Sequence, residues 1–181
     1  MRSAALALVV PALLMAGDKP EAMPMPRLTP HHEALKAWEG TWDAEVHSAG
    51  LPGQPEQVSK GVETVRLVSG GLWAQVDFKA DLGGMPFEGH GLFGYDPALR
   101  KHVGTWVDGM SAAMSVSSGR CDGQCRRIVS TFRGPGLDGR MTDIKEVSEL
   151  VDADHRSEEM SWKARNGKFV KLMTIAYVRR K

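Results

Sequence analysis

From residue 72 to residue 82, Leu72, Ala74, Val76, Phe78 and Ala80 alternate with Trp73, Gln75, Asp77, Lys79 and Asp81. A period of two with one apolar face predicts a half-buried β-strand. Residues 42–48 repeat the pattern, with Trp42, Ala44 and Val46 against Asp43, Glu45 and His47. Further β-like runs cover 58–69, 87–95, 101–107, 112–120, 126–133, 141–151, 156–164 and 169–178. Turn signals separate them: Gly70-Gly71, Gly83-Gly84, Asp96-Pro97, Gly134-Pro135-Gly136, Asp152-Ala153-Asp154 and Asn166-Gly167. One helix precedes the strands. Thr29 caps it, Pro30 takes its first position, Glu33 lies in its first turn, Leu35 and Trp38 form its apolar side, and Gly40 stops it. About ten hairpin-linked strands without crossover helices predict an antiparallel meander. Closing it into an up-and-down β-barrel removes two long free edges. A two-sheet β-sandwich is the alternative.

Two hairpin registers follow from the turns. With Gly83-Gly84 as a two-residue turn, Leu82 faces Met85, Asp77 opposes His90 and Lys79 opposes Glu88. The other face then pairs Ala80 with Phe87, Phe78 with Gly89 and Val76 with Gly91. Complementary charges fall on one face and apolar groups on the other, which is what a correct register produces. Pairing Asp96 with Lys101 sets Trp106 opposite Gly91 and His102 opposite Tyr95, with the indole filling a glycine gap.

Residues 1–17 read as a secretory signal peptide: Arg2 is followed by an apolar run over 3–16, too short to span a bilayer, with small residues at its end. Pro11 argues against a buried helix there. Residues 18–28 carry several prolines and read as a linker, leaving 29–181 as one domain. Export to the periplasm or beyond is the expectation, without stable membrane insertion after cleavage. Cys121 and Cys125 flank an Asp-Gly turn, where opposed hairpin positions favour a disulfide in an oxidising compartment. No further metal ligand lies near them in sequence, and His31-His32 lack a third at metal spacing, so no metal site is expected. A net charge of +1, with Arg126, Arg127, Arg179, Arg180 and Lys181 scattered and offset by acids, gives no basic surface for nucleic acid.

Gly40-Thr41-Trp42, opening the first strand after a short helix, is similar to the G-x-W signature of the calycin superfamily, the lipocalins and their relatives. That resemblance implies that Trp42 closes one barrel end beneath a basic residue of the last strand, Arg179 or Arg180, and we assign Arg179. More closely, the chain resembles the bacterial family called domain of unknown function 1579. The matching runs are Lys60-Gly61-Val62-Glu63-Thr64-Val65-Arg66, Gly70-Gly71-Leu72-Trp73, Phe87-Glu88-Gly89-His90-Gly91, Gly94-Tyr95-Asp96-Pro97 and residues 103–110. The resemblance implies the barrel and brings no established activity. The position of His90 is commonly arginine in that pattern, which argues against a histidine-specific mechanism.

The candidate ligand-binding residues are those the registers turn inward: Phe78, Phe93, Tyr95, His102, Trp106 and Asp108, an aromatic wall with a few polar groups. The plainer reading is a barrel filled by the same side chains. Asp108 points inward only if its strand extends that far. Asp77 opposite His90 could orient a general base, or form an exposed cross-strand ion pair. Some calycin-like barrels bind haem through a histidine, for which His90, His102 or His47 would serve; no cofactor is otherwise expected. The nucleophile elbow, zincin, phosphate-loop and dinucleotide motifs are all missing from the chain. The expected function is binding or carrying a small, partly apolar molecule inside the barrel. The alternatives are an enzyme using that cavity, with Asp108, His90 or Asp77 in catalysis, and a filled structural or partner-binding envelope protein. The sequence leaves oligomeric state open.

Overall fold

The computed structural model describes residues 26–49 and 55–181. The signal peptide, and the linker up to residue 25, lie outside the described residues. A helix, α1 (Pro30–Ala34), leads through a 3-10 turn (Leu35–Trp38) into ten strands: β1 (Gly40–Ser48), β2 (Gln57–Val68), β3 (Trp73–Asp81), β4 (Pro86–Asp96), β5 (Lys101–Asp108), β6 (Ser111–Cys121), β7 (Arg127–Pro135), β8 (Met141–Leu150), β9 (His155–Lys163) and β10 (Phe169–Arg179). Each strand pairs antiparallel with its sequence neighbours, and β1 pairs with β10. The sheet is therefore a closed up-and-down barrel, and the sandwich alternative is excluded. No helix among the described residues is long and apolar enough to cross a membrane.

The two derived registers match residue for residue. Asp77 faces His90, Lys79 faces Glu88, Val76 faces Gly91, and Trp106 faces Gly91 from the other side. Gly83 and Gly84 both have positive φ, at 70° and 90°, as a tight hairpin turn of this hand requires. The Trp106 indole lies against Gly89 and Gly91: an added Cβ would come within 2.2 Å of it at Gly89 and 2.9 Å at Gly91. Those glycines exist to make room for the ring.

The helix is shorter than expected, and its second half tightens into the 3-10 turn. The carbonyls at its end are drawn elsewhere. Arg179 donates to the carbonyls of Ala37 and Glu39, and Trp42 Nε1 donates to the Trp38 carbonyl at 3.0 Å. Trp42 is completely buried, with the Arg179 guanidinium 4.0 Å from its ring. This end of the barrel is closed. The strands around it contribute Ala44, Val65, Ala74, Val76, Phe78, Ile175 and Tyr177 to one continuous core with Trp38 and Trp42.

Candidate functional site

The core fills the β1–β4 side of the barrel. On the β7–β9 side the inward positions are different. Ser130 faces Glu146, Ser148 faces Glu158, and Glu146 faces Met160. These groups are turned away from bulk solvent, yet Ser130, Glu146, Ser148, Glu158, Met160 and, across the lumen, Phe93 and Trp106 each keep part of their surface uncovered. The inner face on this side therefore carries carboxyl and hydroxyl groups beside apolar ones.

Four charged residues meet there. Glu63 on β2 and Arg156 on β9 are 5% and 6% exposed and are ion-paired through Oε1 and Nη2. The Tyr177 hydroxyl donates to Glu63 Oε2 at 3.1 Å. The Arg156 guanidinium lies 3.9 Å from the Tyr177 ring centre and 4.7 Å from that of Trp42. An arginine stacked on aromatic faces and bridged to a carboxylate offsets much of its desolvation. Its Nε, like Trp162 Nε1, has no hydrogen-bond partner among the described residues. Burial pushes the Tyr177 hydroxyl well above its ordinary value, with the Glu63 charge adding to it.

The other two are Glu146 and Glu158. Burial raises both carboxyls, Glu158 far more than Glu146, and the neighbouring Glu146 and Glu63 charges push Glu158 further. Ser130 Oγ donates to Glu146 Oε2 at 3.1 Å, and a hydrogen bond from Glu158 also favours the ionised form of Glu146. Of the two, Glu158 is held further toward its protonated form. Two carboxyls in one low-dielectric space cannot both ionise cheaply. Sequence reasoning missed this cluster. Glu146 shares strand parity with Ile144, and Glu158 with Met160 and Trp162, which was the available signal.

The six residues assigned to ligand binding all sit on inward parity but do not converge. Phe78, Phe93 and Trp106 lie side by side along one wall. Tyr95 and His102 stand at the closed end, their rings 5.3 Å apart. Asp108 lies in β5, not in the turn, at the opposite rim, where it accepts from Trp106 Nε1 at 3.0 Å and from the Met110 amide at 2.9 Å. Asp77 and His90 are bonded at 2.7 Å on the outer wall, where Arg66 also reaches Asp77. His90 holds the Asp77 carboxyl below its usual value. This face is not the one on which Asp108 sits, so His90 and Asp108 cannot act together.

Two open grooves mark the outer wall. One of about 360 Å³ surrounds Asp77 and His90; another of about 520 Å³ runs between Lys101, Arg120 and Arg127. In the first, the charges already pair with one another. Neither groove contains the lumen carboxyls.

The three histidines considered for haem lie apart. His47 is tied to Glu45 and Glu56, His90 to Asp77, and His155 to Asp152, all on the outside. His102 points inward and is 6% exposed.

At the closed end, Cys121 and Cys125 form a disulfide across the β6–β7 turn. No metal ligand lies near these cysteines along the chain, but the fold brings two histidines to them. His31 from α1 lies with its Nδ1 3.0 Å from Cys125 Sγ and 3.3 Å from Cys121 Sγ, and His102 Nε2 lies 3.9 Å from Cys125 Sγ. Burial, with the neighbouring His31 and His32, pulls the His102 imidazole down to about 4. His32 accepts from the Thr29 amide at Nδ1 and donates from Nε2 to the Tyr95 carbonyl at 3.1 Å, which fixes the helix over this end.

Among solved structures, the chain is similar to Rv2717c from M. tuberculosis, with a TM-score of 0.60 at 14% identity over 86% of this chain and 100% of that one. At that identity the likeness concerns the fold alone. A redesigned β-barrel, b11L5F_LGL, also aligns, with a TM-score of 0.44 at 13% identity over 86% of this chain and all of the design. A comparison with curated proteins gave no match. The model of the family described as "Protein of unknown function (DUF1579)" matches residues 27–179, from just before α1 to the end of β10. This match, over the whole of the closed barrel that residues 40–179 build, places the chain in the DUF1579 family.

Proposed function

We propose that the protein binds a small molecule in the barrel lumen, one with an apolar body and a hydrogen-bond-donating or cationic group. The observation that carries this reading is the Glu146–Glu158 pair on the inner face, both carboxyls raised by burial and neighboured by Ser130, Ser148 and Met160, which keep part of their surface uncovered. An ammonium or amide donor there would meet an ionised carboxylate in a low-dielectric space, where such a bond is strongest. Met160, Phe93 and Trp106 supply apolar wall, and the unpartnered Arg156 Nε can donate to an acceptor on the ligand. A concave, largely apolar space with a few converging polar groups is the usual form of a small-molecule site. The apolar run over residues 3–16 and the disulfide support a workplace outside the cytosol.

The test is native mass spectrometry of protein purified from its own host, beside denaturing spectra of the same sample. The expected result is a mass excess present only in the native spectrum and lost in Glu146→Gln/Glu158→Gln protein. Trp106 fluorescence should respond when the recovered molecule is added back. A second arm adds bulk to the lumen with Ser148→Leu. If the lumen is already filled, that change costs about 1–3 kcal/mol by overpacking. No mass excess together with that loss would sink the reading.

A further inference from the structure

We propose that His31, His102, Cys121 and Cys125 form a second site, independent of the lumen: a Cys2His2 centre for one Zn2+-class divalent cation, assembled when the Cys121–Cys125 disulfide is reduced. The four donor atoms all lie within 4.8 Å of one another. They come from α1, β5, the end of β6 and the turn that follows it. In a tetrahedral zinc site with the usual bond lengths, nitrogen and sulfur ligands stand about 3.5 Å apart. The nitrogen-to-sulfur distances here, 3.0, 3.3 and 3.9 Å, bracket that value. The two cysteines, with three residues between them, have a spacing common in structural zinc sites. Two thiolates and two imidazoles select a borderline-soft cation over Mg2+ or Ca2+.

The surroundings hold the donors in place. The His31 ring is stacked on Tyr95, with centroids 3.9 Å apart and planes 13° apart, and its Nδ1 faces both sulfurs. His32, the next residue, locks α1 to β4 through the Tyr95 carbonyl and so fixes the helix before any cation arrives. His102 and Cys125 are 6% and 7% exposed, which gives the site a dry inner side. Cys125 has φ of 52°, an uncommon conformation for a residue with a Cβ, and it turns the second sulfur back toward His31.

The two forms of the site exclude each other, because the thiolate and not the disulfide is the ligand. Reduction by a dithiol passes two electrons and two protons to the cysteines, giving two thiols and leaving the reductant as its own disulfide. Binding M2+ then forms two metal–sulfur and two metal–nitrogen bonds and releases the two thiol protons to solvent. The closed end would thus be stapled in either state, by a local disulfide or by a cation that also ties α1 to the sheet.

The experiment uses the full chain, reduced with a dithiol, desalted under argon and titrated with Co2+ as a spectroscopic probe of the zinc site. The expected result is one equivalent bound, with thiolate-to-cobalt charge-transfer absorption and tetrahedral ligand-field bands. The oxidised protein should show neither. Cys121→Ser/Cys125→Ser should abolish the charge-transfer band, and His31→Gln should keep it while weakening binding at least tenfold. Circular dichroism is recorded on each sample. A reduced chain that unfolds but regains its fold with one equivalent of Zn2+ also supports the site. The proposal fails if the reduced, folded wild type shows no thiolate band, or if the double serine variant binds as tightly as wild type. It fails equally if a reduced, unfolded chain is not rescued by Zn2+.

Discussion

Glu158→Gln should stabilise the protein, and by more at each step up in pH. The carboxyl of Glu158 is raised well above its ordinary 4.5, first by burial and then by the charges of Glu146 and Glu63. In the folded state it keeps its proton where the unfolded chain has released it. Its contribution is therefore full below the unfolded value near 4.5 and is lost as pH rises toward the folded one. Within that window each pH unit removes about 1.4 kcal/mol from the wild type. The glutamine variant pays no such penalty, because its amide imitates the protonated acid and can still donate to Glu146. For a domain of this size, 1.4 kcal/mol is about 3–6 °C in melting temperature. The assay is urea denaturation of both proteins at several pH values between about 5 and about 7, with the difference in unfolding free energy plotted against pH. A line that climbs with pH and flattens where the folded value is reached is expected. A difference that stays constant, or one that shrinks as pH rises, would refute the raised Glu158 carboxyl. Glu146→Gln should show the same trend over a narrower window, since Glu146 is raised less.

Other consequences concern the packing and the outer wall. Arg156→Met leaves Glu63 buried without its cation and should cost about 3–5 kcal/mol in denaturation, most of it recovered when Glu63→Met is added. Gly91→Ala sets a methyl 2.3 Å from the Phe93 ring and 2.9 Å from that of Trp106, so a loss of about 1–3 kcal/mol is expected in thermal melts, smaller in a Trp106→Ala background. His90→Ala on the outer wall should change stability by less than about 0.5 kcal/mol, and less still in high salt. Because Asp77 is held below its usual 3.8, whatever that pair contributes is present above this pH and fades as the solution becomes more acid, which the same denaturation series reads at its low-pH end.

The apolar wall of the barrel was legible because β3 and β4 sort their side chains cleanly. Asp77, Lys79, Glu88 and His90 share one face, while Val76, Phe78 and Phe87 share the other, so turn chemistry alone sets the register. The polar wall was not legible. In β9, Arg156 and Glu158 point inward with Met160 and Trp162, while Ser157, Glu159, Ser161 and Lys163 point outward. With polar residues on both sides, alternation no longer says which face is the interior. The cysteine corner was hidden for a different reason. His31 and His102 lie 90 and 19 residues from Cys121 in sequence, by subtraction of their numbers, and only barrel closure with the helix docked brings them together. The tightening of Leu35–Trp38 into a 3-10 turn had no signal in the helix pattern, and the Ala37 and Glu39 carbonyls left free at its end are taken by Arg179 from the far end of the chain.

The seam between β1 and β10 also bears on how the molecule is made. Every other strand pair joins neighbours and can zip locally as synthesis proceeds. The seam brings Trp42 beside Arg179, and no earlier stretch of chain can substitute for that last strand. A nascent chain still lacking β10 presents two unpaired borders, on β1 and β9, which are surfaces open to chaperones and to other unfinished copies. Closure of the seam is therefore the late step, since it alone joins the two ends of the strand order. Trp42, sealed only when Arg179 arrives over its ring, is the natural fluorophore for timing that step.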